Sequence, residues 1–280
     1  MSDEAIRKTV RERYEQRAKD GVSCCAKPRT CCGTQDSVSR AIGYSEEELG
    51  AVPEGADLGL GCGNPTALAS LKEGETVLDL GSGAGIDCFL AAQAVGPSGR
   101  AIGIDMTAEM IDRARENAGR NGIENVEFRL GEIEHLPVAD RSVDVVVSNC
   151  VVNLSPDKPQ VFREAFRALK PGGRMFLSDI VLLKPLPTEV RESVEAYVGC
   201  VAGASMKADY LAAIEAAGFR DVEVLKEVAS DSAFSDDDAK AKVYVDGKEV
   251  DPERVGLDRE KVSELAGTIS SVTVKAVKTA

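Results

Sequence analysis

Between Glu75 and Val228, short apolar runs alternate with longer stretches whose apolar residues recur every three or four positions. The first pattern predicts buried strands and the second predicts amphipathic helices, because the two structures have different side-chain periods. Strands are predicted at TVLDL, AIGIDM, VEFRLG, VDVVVSN and GGRMFLSDIV, and helices near Ile86 to Val95, Ala108 to Asn121 and Lys158 to Leu169. The run Lys170-Pro171-Gly172-Gly173 is predicted to end the last of these helices. This alternation is typical of βα units around a parallel sheet.

The segment that precedes this core is predicted to form a helix and a lid. Asp3 to Asp20 is rich in Arg, Glu, Lys and Ala and contains no Gly or Pro, which predicts a helix. Gly21 to Gly33 places four cysteines among Pro, Ser, Thr and Gly and is predicted to be a loop. Ser37 to Leu71 combines a short helix at Glu46 to Leu49 with glycine-rich turns. We therefore expect residues 1–65 to form an N-terminal lid segment.

The segment that follows the core pattern is less regular. Thr188 to Val201 and Lys207 to Ala217 are predicted helices, and DVEVLKEV is a predicted strand. Residues 230–264 are acidic and weakly patterned, whereas TISSVTVKAVK alternates clearly enough to predict a closing antiparallel edge strand. We expect a core domain at residues 66–228 and a C-terminal extension at residues 229–280.

Composition narrows the class of protein. The net charge of −13 disfavours nucleic acid as a partner, because such binding draws on clustered Lys and Arg. No apolar run approaches the roughly 18 residues that cross a bilayer, and the first twenty residues lack the apolar centre of a secretory signal. We expect a cytoplasmic chain, working as a monomer, with neither nucleic acid nor membrane as partner. Its eight cysteines should then be reduced, and a single histidine, His135, leaves little scope for histidine chemistry.

The run VLDLGSGAGID predicts a nucleotide-binding turn. Gly81, Gly83 and Gly85 follow a strand and precede a helix, where glycines let a ligand approach the backbone. Asp79 would place a carboxylate near a cationic amino acid group, and the GxGxG spacing departs from the dinucleotide fingerprint. These details favour a sulfonium nucleoside over NAD. Asp105, at the end of the next strand, is the predicted ligand of the ribose hydroxyls.

Other cofactor contacts are predicted from the same edge of the sheet. Met106 could pack on adenine or belong to the core, and Glu132 could accept a hydrogen bond from the adenine amino group. Asn149 could bond the amino group of the cofactor or cap a turn, whereas His135 is interpreted as a loop residue. The predicted cofactor-binding residues are Asp79, Gly81, Ser82, Gly83, Gly85, Asp105, Met106, Glu132, Ile133 and Asn149.

From about Thr66 to Val228 the sequence resembles the class I methyltransferases. The motifs that carry the resemblance are LDLGSGAGID, GIDM, GEIEHLP and LKPGGRMFLSD. The resemblance implies S-adenosylmethionine as cofactor and an α/β fold, with a Rossmann-like seven-stranded, mostly parallel sheet that has helices on both faces. It leaves the methyl acceptor open.

Three cysteines point to the acceptor. Cys150 ends the fourth strand, Cys62 lies in the lid motif GLGCGNP, and Cys200 ends the predicted helix, in YVGCVAGA, so the topology brings all three to one edge of the sheet. Each alone could be a small buried hydrophobe. Together, soft thiolates with almost no histidine select a thiophilic centre, namely zinc, copper(I) or a metalloid. Trivalent arsenic fits three thiolates, and its remaining lone pair could attack a sulfonium methyl group without a general base.

These segments closely resemble arsenite methyltransferases, through LGLGCGNPTALASL, DLGSGAGIDCFLAA, SNCVVNLSPDK and GCVAGA. The resemblance, from about Tyr14 to Val228, implies arsenite or its thiol conjugates as acceptor, successive methylation, and thioredoxin or glutathione as reductant. It assigns arsenic binding to Cys150 and Cys200, and disulfide exchange and arsenic loading to Cys62. An N-terminal cysteine of the family joins this relay. The candidates for it are the pair Cys24 and Cys25, which we favour, and the pair Cys31 and Cys32.

Two other functions compete with this interpretation. A quinone or other small-molecule carbon methyltransferase would share the cofactor motifs but would leave the placed cysteines unexplained. A thiol-rich metalloid-binding protein without enzyme activity would not need the intact cofactor loop. A four-thiolate zinc site in the N-terminal loop fits zinc spacings poorly, because the cysteines there are adjacent pairs. Cys88, inside the first helix after the glycine turn, is predicted to be a packing residue.

Overall fold

The computed structural model describes residues 2–20, 35–186, 200–229, 243–245, 248–250 and 267–279. Cys24, Cys25, Cys31 and Cys32 therefore lie outside the described residues, as do residues 188–199 of one predicted helix and most of the acidic segment. Within the described residues, no helix combines the length and the apolar character that a membrane span requires.

A seven-stranded sheet confirms the predicted α/β fold. In chain order its strands are β1 (Thr76–Leu80), β2 (Arg100–Asp105), β3 (Val126–Leu130), β4 (Val143–Asn149), β5 (Leu169–Leu182), β6 (Arg220–Ala229) and β9 (Ile269–Val277). Their order across the sheet is β3-β2-β1-β4-β5-β9-β6, with β9 antiparallel to both of its neighbours and the other pairings parallel. A separate two-stranded ribbon is formed by β7 (Val243–Val245) and β8 (Lys248–Val250).

Helices cover both faces of the sheet. They are α1 (Asp3–Asp20), α2 (Gln35–Ile42), α3 (Glu46–Ala51), α4 (Pro65–Leu68), α5 (Ile86–Val95), α6 (Ala108–Arg120), α7 (Lys158–Ala168) and α8 (Lys207–Ala216), with a 3-10 turn at Val152–Leu154. Successive residues of β1 enter opposite cores, because side chains alternate across a strand. Val77 packs with Ala91 of α5, whereas Leu78 belongs to the cluster that holds Phe162 of α7 and Tyr210 of α8.

One prediction about the second half of the sheet is wrong. The strand β9 was expected at the edge, but it pairs with β5 on one side and β6 on the other, so β6 is the edge strand. Alternation reports which faces of a strand are buried and carries no information about how many neighbours it has. Because β9 comes from the segment expected to be an extension, the predicted boundary at residue 228 divides the sheet.

The motif LKPGG follows the end of α7 at Ala168 and also forms the beginning of β5. Leu169 already pairs with Val143, and the next pairing joins Arg174 to Val145, so the residues between them form a bulge within β5. Gly172 has a φ of 79°, and its amide donates to the carbonyl of Lys278, which continues the hydrogen bonding towards β9.

Candidate active site

A cleft opens above the carboxyl ends of the central parallel strands, where open α/β sheets bind their ligands. It encloses about 1030 Å³, including its mouth. Its walls come from α1, from lid residues between Ser39 and Gly61, and from the turns that follow β1, β2, β3 and β4.

The glycine-rich turn after β1 forms part of the cleft wall. Gly81 and Gly83 have φ values of 72° and 52°, which residues with a side chain rarely adopt. The amides of Gly81 and Ser82 donate to the carbonyl of Ile104, at 2.8 and 3.0 Å, and this fixes the turn to β2. The amide of Gly83 donates to Oδ2 of Asp105 at 2.9 Å. A Cβ atom on Gly83 would meet nothing within 4 Å, so the turn faces open space at this point.

Seven of the ten predicted cofactor-binding residues line this cleft. They are Gly81, Ser82, Gly83, Asp105, Met106, Ile133 and Asn149. The structure therefore brings together residues from four different turns, as expected for side chains at the carboxyl ends of neighbouring parallel strands.

Asp79, Gly85 and Glu132 lie outside the lining. Asp79 is buried and accepts a hydrogen bond from Sγ of Cys88 at 3.4 Å. A Cβ atom on Gly85 would lie 2.7 Å from the ring of Phe89, so close packing accounts for this glycine. Glu132 instead forms ion pairs with Arg7 and Arg11 of α1. The positions of these three residues do not support the direct ligand contacts that we predicted for them.

Asp87 is a cleft residue that sequence reasoning missed. Its Oδ1 accepts hydrogen bonds from the hydroxyls of Tyr44 at 2.8 Å and Thr66 at 2.6 Å, so a lid residue and a residue of α4 both contact the first turn of α5. Burial raises the pKa of both Asp79 and Asp87, and the Asp87 carboxylate raises that of Asp79 further. A cationic group in the cleft would offset this cost. The signal in the sequence was the acidic residue that directly follows GSGAGI.

The polar atoms of the cleft fit S-adenosylmethionine. Oδ2 of Asp57 and Oγ of Ser82 are buried and have no hydrogen-bond partner, and both residues line the cleft. Buried polar atoms are rarely left unpaired, which indicates a ligand with hydroxyl or amino groups. Met106 and Ile133 supply apolar surface for a flat ring.

Helix α1 covers this cleft and is held by ion pairs. Arg7 and Arg11 approach the carboxylate of Glu132 at 3.6 and 3.4 Å, and Arg7 also approaches Glu134 at 3.4 Å. On the buried face of the same helix, Tyr14 lines the cleft and packs against a cluster that includes Cys150 and Cys200. The helix therefore closes the cofactor cleft and the thiol cluster together.

The three predicted cysteines meet in this cluster. Sγ of Cys200 donates to the carbonyl of Cys150 at 3.0 Å, and Sγ of Cys62 donates to the carbonyl of Ser178 at 3.4 Å. Cys150 and Cys200 are buried, Cys62 is half-buried, and all three are free thiols. Cys150 also lines the cleft, so it belongs to both sites. Cys88 is buried on α5, in the core on the opposite face of the sheet from the side chains of Leu78 and Leu80, in agreement with its predicted packing role.

Backbone geometry places two of these thiols. Cys150 and Cys200 have φ values of 59° and 65°, in the left-handed region that non-glycine residues seldom occupy. Such strained residues gather at functional sites, where the surrounding structure holds them. For Cys150 the anchor is its own amide, which donates to the carbonyl of Ser178 at 2.7 Å.

Asn149 connects the lid to the thiol cluster. Its Oδ1 accepts from the amide of Cys62 at 3.0 Å, and its Nδ2 donates to the carbonyl of Gly63 at 2.7 Å and to the hydroxyl of Tyr44 at 2.9 Å. A Cβ atom on Gly61 would lie 2.6 Å from Nδ2 of Asn149, so the lid backbone lies directly on this amide. The position of Cys62 therefore depends on Asn149.

The pKa of each of the three thiols is raised in the protein, which favours the protonated form. The Cys150 thiol raises the pKa of Cys200 most, and burial raises it further. For Cys150, the Cys200 thiol lowers the pKa, but the Cys62 thiol and burial raise it more strongly. The pKa of Cys150 therefore lies well above the usual range. For Cys62, the interaction with Cys150 lowers the pKa, yet burial and the Asp179 carboxylate leave it raised. A ligand that accepts protons as it binds would relieve this state.

Asp179 is the second residue of the site that sequence reasoning missed. One of its carboxylate oxygens and the Sγ atoms of Cys62 and Cys150 all lie within 4.8 Å of one another. Asp179 is 1% exposed, and burial raises its pKa to about 7, although the amide of Ile180 and the hydroxyl of Tyr210 oppose that rise. It follows Ser178 in β5, and Ser178 pairs with Asn149, so the sheet register sets it beside the end of β4.

The family model described as "Methyltransferase domain" matches residues 71–218, more than half of the chain. Together with the strand order and the glycine-rich turn, this match defines a methyltransferase-domain protein of Rossmann-like fold.

Individual relatives narrow the class. The arsenite methyltransferase of Halobacterium salinarum is 53% identical over 245 residues, which are 84% of this chain and 63% of that protein. The arsenite methyltransferase of Aquipseudomonas alcaligenes is 43% identical over 194 residues, 66% of this chain and 56% of that protein. The crystal structure of an arsenic(III) S-adenosylmethionine methyltransferase from Chlamydomonas reinhardtii is 31% identical, with a TM-score of 0.63, over 89% of this chain and 75% of that one.

The chain belongs to the arsenite methyltransferase family. It spans somewhat less than two thirds of the length of the two curated relatives, 63% and 56%.

Proposed function

We propose that this chain methylates trivalent arsenic, as arsenite or its thiol conjugates, with S-adenosylmethionine as methyl donor and in successive steps. The observation that carries the proposal is the meeting of three free thiols beside the cofactor cleft. Cys150 belongs to both the thiol cluster and the lining of the cleft. The names of the relatives point the same way. A quinone acceptor would leave the thiol cluster without a role.

For the cofactor, we assign contacts to the residues that line the cleft. The turn at Gly81 to Gly83 would hold one end of S-adenosylmethionine, with Asp105 at the ribose and Met106 and Ile133 against adenine. We assign to Asp87 the role that we predicted for Asp79, because Asp87 lines the cleft and Asp79 does not. When bound, S-adenosylmethionine supplies an electrophilic methyl group on a sulfonium sulfur.

The thiols would activate arsenic by ligand exchange. Each hydroxyl of arsenite is replaced by a cysteine sulfur, and the thiol proton leaves with that hydroxyl as water. Arsenic held by Cys62, Cys150 and Cys200 keeps its lone pair on the face opposite the sulfurs, and this lone pair attacks the methyl carbon in line. The protein contributes by excluding water beneath α1 and by holding the reacting atoms in contact, an effect of proximity and orientation.

Regeneration of the cysteines is proposed from the family resemblance. A thiol reductant, either thioredoxin or glutathione, would reduce the disulfides that form during turnover, with Cys24 or Cys25 exchanging with Cys62. We propose that the chain does this in the cytoplasm as a monomer.

Arsenic speciation tests the proposal directly. Purified protein is incubated with arsenite, S-adenosylmethionine and excess thiol, and the products are separated by chromatography with mass detection. Methylated arsenic that requires both the protein and the cofactor is the expected result, and the product series gives the number of methyl groups transferred. Cofactor binding without any methylated arsenic would overturn the proposal and favour an organic acceptor.

A further inference from the structure

The group that completes a triangle with Cys62 and Cys150 is the carboxylate of Asp179, rather than the thiol of Cys200. The Sγ atoms of Cys62 and Cys150 and an oxygen of Asp179 lie within 4.8 Å of one another. The thiol of Cys200 is meanwhile directed to the carbonyl of Cys150, at 3.0 Å. In this arrangement, two sulfurs and one carboxylate oxygen lie close together.

The carboxylate of Asp179 is held firmly and still has a free acceptor position. Its Oδ1 accepts from the amide of Ile180 at 3.0 Å and from Nδ2 of Asn153 at 2.8 Å. Its Oδ2 accepts from the hydroxyl of Tyr210 at 3.2 Å. An ionised carboxylate offers about four acceptor sites, so Oδ2 has one left for a further donor. The three donors fix the direction in which that site points.

Arsenite presents the donor that matches this acceptor. After two of its hydroxyls have been exchanged for thiols, arsenic carries two sulfurs and one remaining hydroxyl group. The triangle matches this species: Cys62 and Cys150 supply the two sulfurs, and the carboxylate of Asp179 supplies an acceptor for the remaining hydroxyl group. A carboxylate that is already placed accepts an O–H group at little further cost in entropy, since its own orientation is fixed beforehand.

We infer that Asp179 is a substrate-binding residue that accepts a hydrogen bond from the last hydroxyl of arsenic held by Cys62 and Cys150. This inference rests on the proposed function and adds an order to it. Arsenic is first loaded at Cys62 and Cys150, and the hydroxyl is held by Asp179 while Cys200 approaches. The Cys200 sulfur then bonds to arsenic, the arsenic–oxygen bond breaks, and the departing hydroxyl takes the Cys200 proton to form water.

The contact requires no particular protonation state, because a neutral carboxyl group also has an acceptor oxygen. Lys158 contributes a positive charge near Asp179 and Cys200, and its own pKa is lowered, chiefly by burial. Among the described residues, the other groups that act electrostatically on Asp179 or on its neighbours include Arg17, Tyr210, Cys62, Cys150, Cys200 and Glu134.

The test compares two forms of arsenic that differ in their hydroxyl groups. Reduced full-length protein, kept in a phosphine reductant that is not a thiol, is mixed rapidly with arsenite or with the arsenic–glutathione tris-thiolate, which has no hydroxyl. Formation of arsenic–sulfur bonds is followed by near-ultraviolet absorbance, and stoichiometry by native mass spectrometry. The phase that belongs to the cluster is identified as the one lost in Cys62→Ser.

Asp179→Asn should slow this phase about tenfold with arsenite, because the carboxylate acceptor is replaced by an amide donor. It should leave the phase within about twofold of wild type with the tris-thiolate. Asp144→Asn removes a carboxylate of β4 that pairs with Lys170, away from the cluster, and should leave both rates unchanged. Should Asp179→Asn not fold, Asp179→Ala with and without added formate gives the same comparison, and formate should restore the arsenite rate.

An unchanged arsenite rate in Asp179→Asn, or equal slowing with both forms of arsenic, would overturn the inference. Because these readouts follow binding rather than methyl transfer, they separate it from the proposed function. If the wild-type protein binds arsenic at the cluster but forms no methylated product, the proposed function is wrong and the inference about Asp179 is unaffected.

Discussion

Replacing Asn149 by Ala should disconnect the lid from the thiol cluster. The substitution removes the acceptor of the Cys62 amide and the donor to the Gly63 carbonyl, at 3.0 and 2.7 Å. A buried backbone group left without a partner costs about 1–3 kcal/mol, so closing the lid becomes less favourable by at least about 2 kcal/mol. A shift of that size lowers the equilibrium constant for closing the lid with Cys62 in place roughly thirtyfold.

The assay is initial methylation rate with arsenite, read beside thermal unfolding. Asn125→Ala is the matched control, because Asn125 also donates to two backbone carbonyls, those of Ala92 and Gly96, but lies away from the cleft. Both variants should lose stability, and only Asn149→Ala should lose about thirtyfold in rate at temperatures where both are folded. Equal rates for the two variants would refute the reasoning that Asn149 positions Cys62.

Other substitutions test the thiols and the scaffold. Cys150→Ser and Cys200→Ser should abolish methylation while leaving cofactor binding, measured by calorimetry, nearly unchanged; an equal loss in Cys88→Ser would contradict the assignment. Cys62→Ser should stop turnover of arsenite yet spare a monomethylated substrate, which needs fewer thiols, and full activity on arsenite would count against this. Burial would raise the pKa of Glu75, but its arginine partner and a backbone amide lower it, so Glu75→Gln should cost about 1–3 kcal/mol at neutral pH. Because a lowered pKa gives stability that is lost on acidification, denaturant midpoints of variant and wild type should converge below the ordinary value of 4.5.

The parts of the site that could be predicted from the sequence are those fixed by topology. Cys62 and Cys150 are far apart in the chain, yet both lie at the carboxyl edge of a parallel sheet, and the alternation of strands and helices already indicates such a sheet. Ser82 and Asp105 follow from the same rule, since each lies at the carboxyl end of a central strand.

What could not be predicted depends on contacts between side chains distant in sequence. Asp179 lies in an apolar strand whose pattern predicts burial, but no pattern shows that Tyr210 and Asn153 will meet its carboxylate. Glu132 and Glu134 lie two residues apart in the chain, yet Glu134 lines the cleft and Glu132 does not. Only the position of α1 makes Glu132 an ion-pair partner of Arg7 and Arg11. Local sequence thus places a residue at an edge, and tertiary packing decides where its side chain is used.

The protonated state of the thiols explains why the site can do without histidine. In most thiol chemistry a cysteine must first lose its proton, and a neighbouring base or cation lowers its pKa. Here contact with Cys150 lowers the pKa of Cys62 and contact with Cys200 lowers that of Cys150, yet burial and the other neighbouring groups leave the pKa of all three thiols raised. In the proposed function the substrate resolves this, because each hydroxyl of arsenite would remove one thiol proton as water when the sulfur replaces it. Arsenite would therefore carry the base that its own binding requires, and a buried cluster of protonated thiols could still capture it.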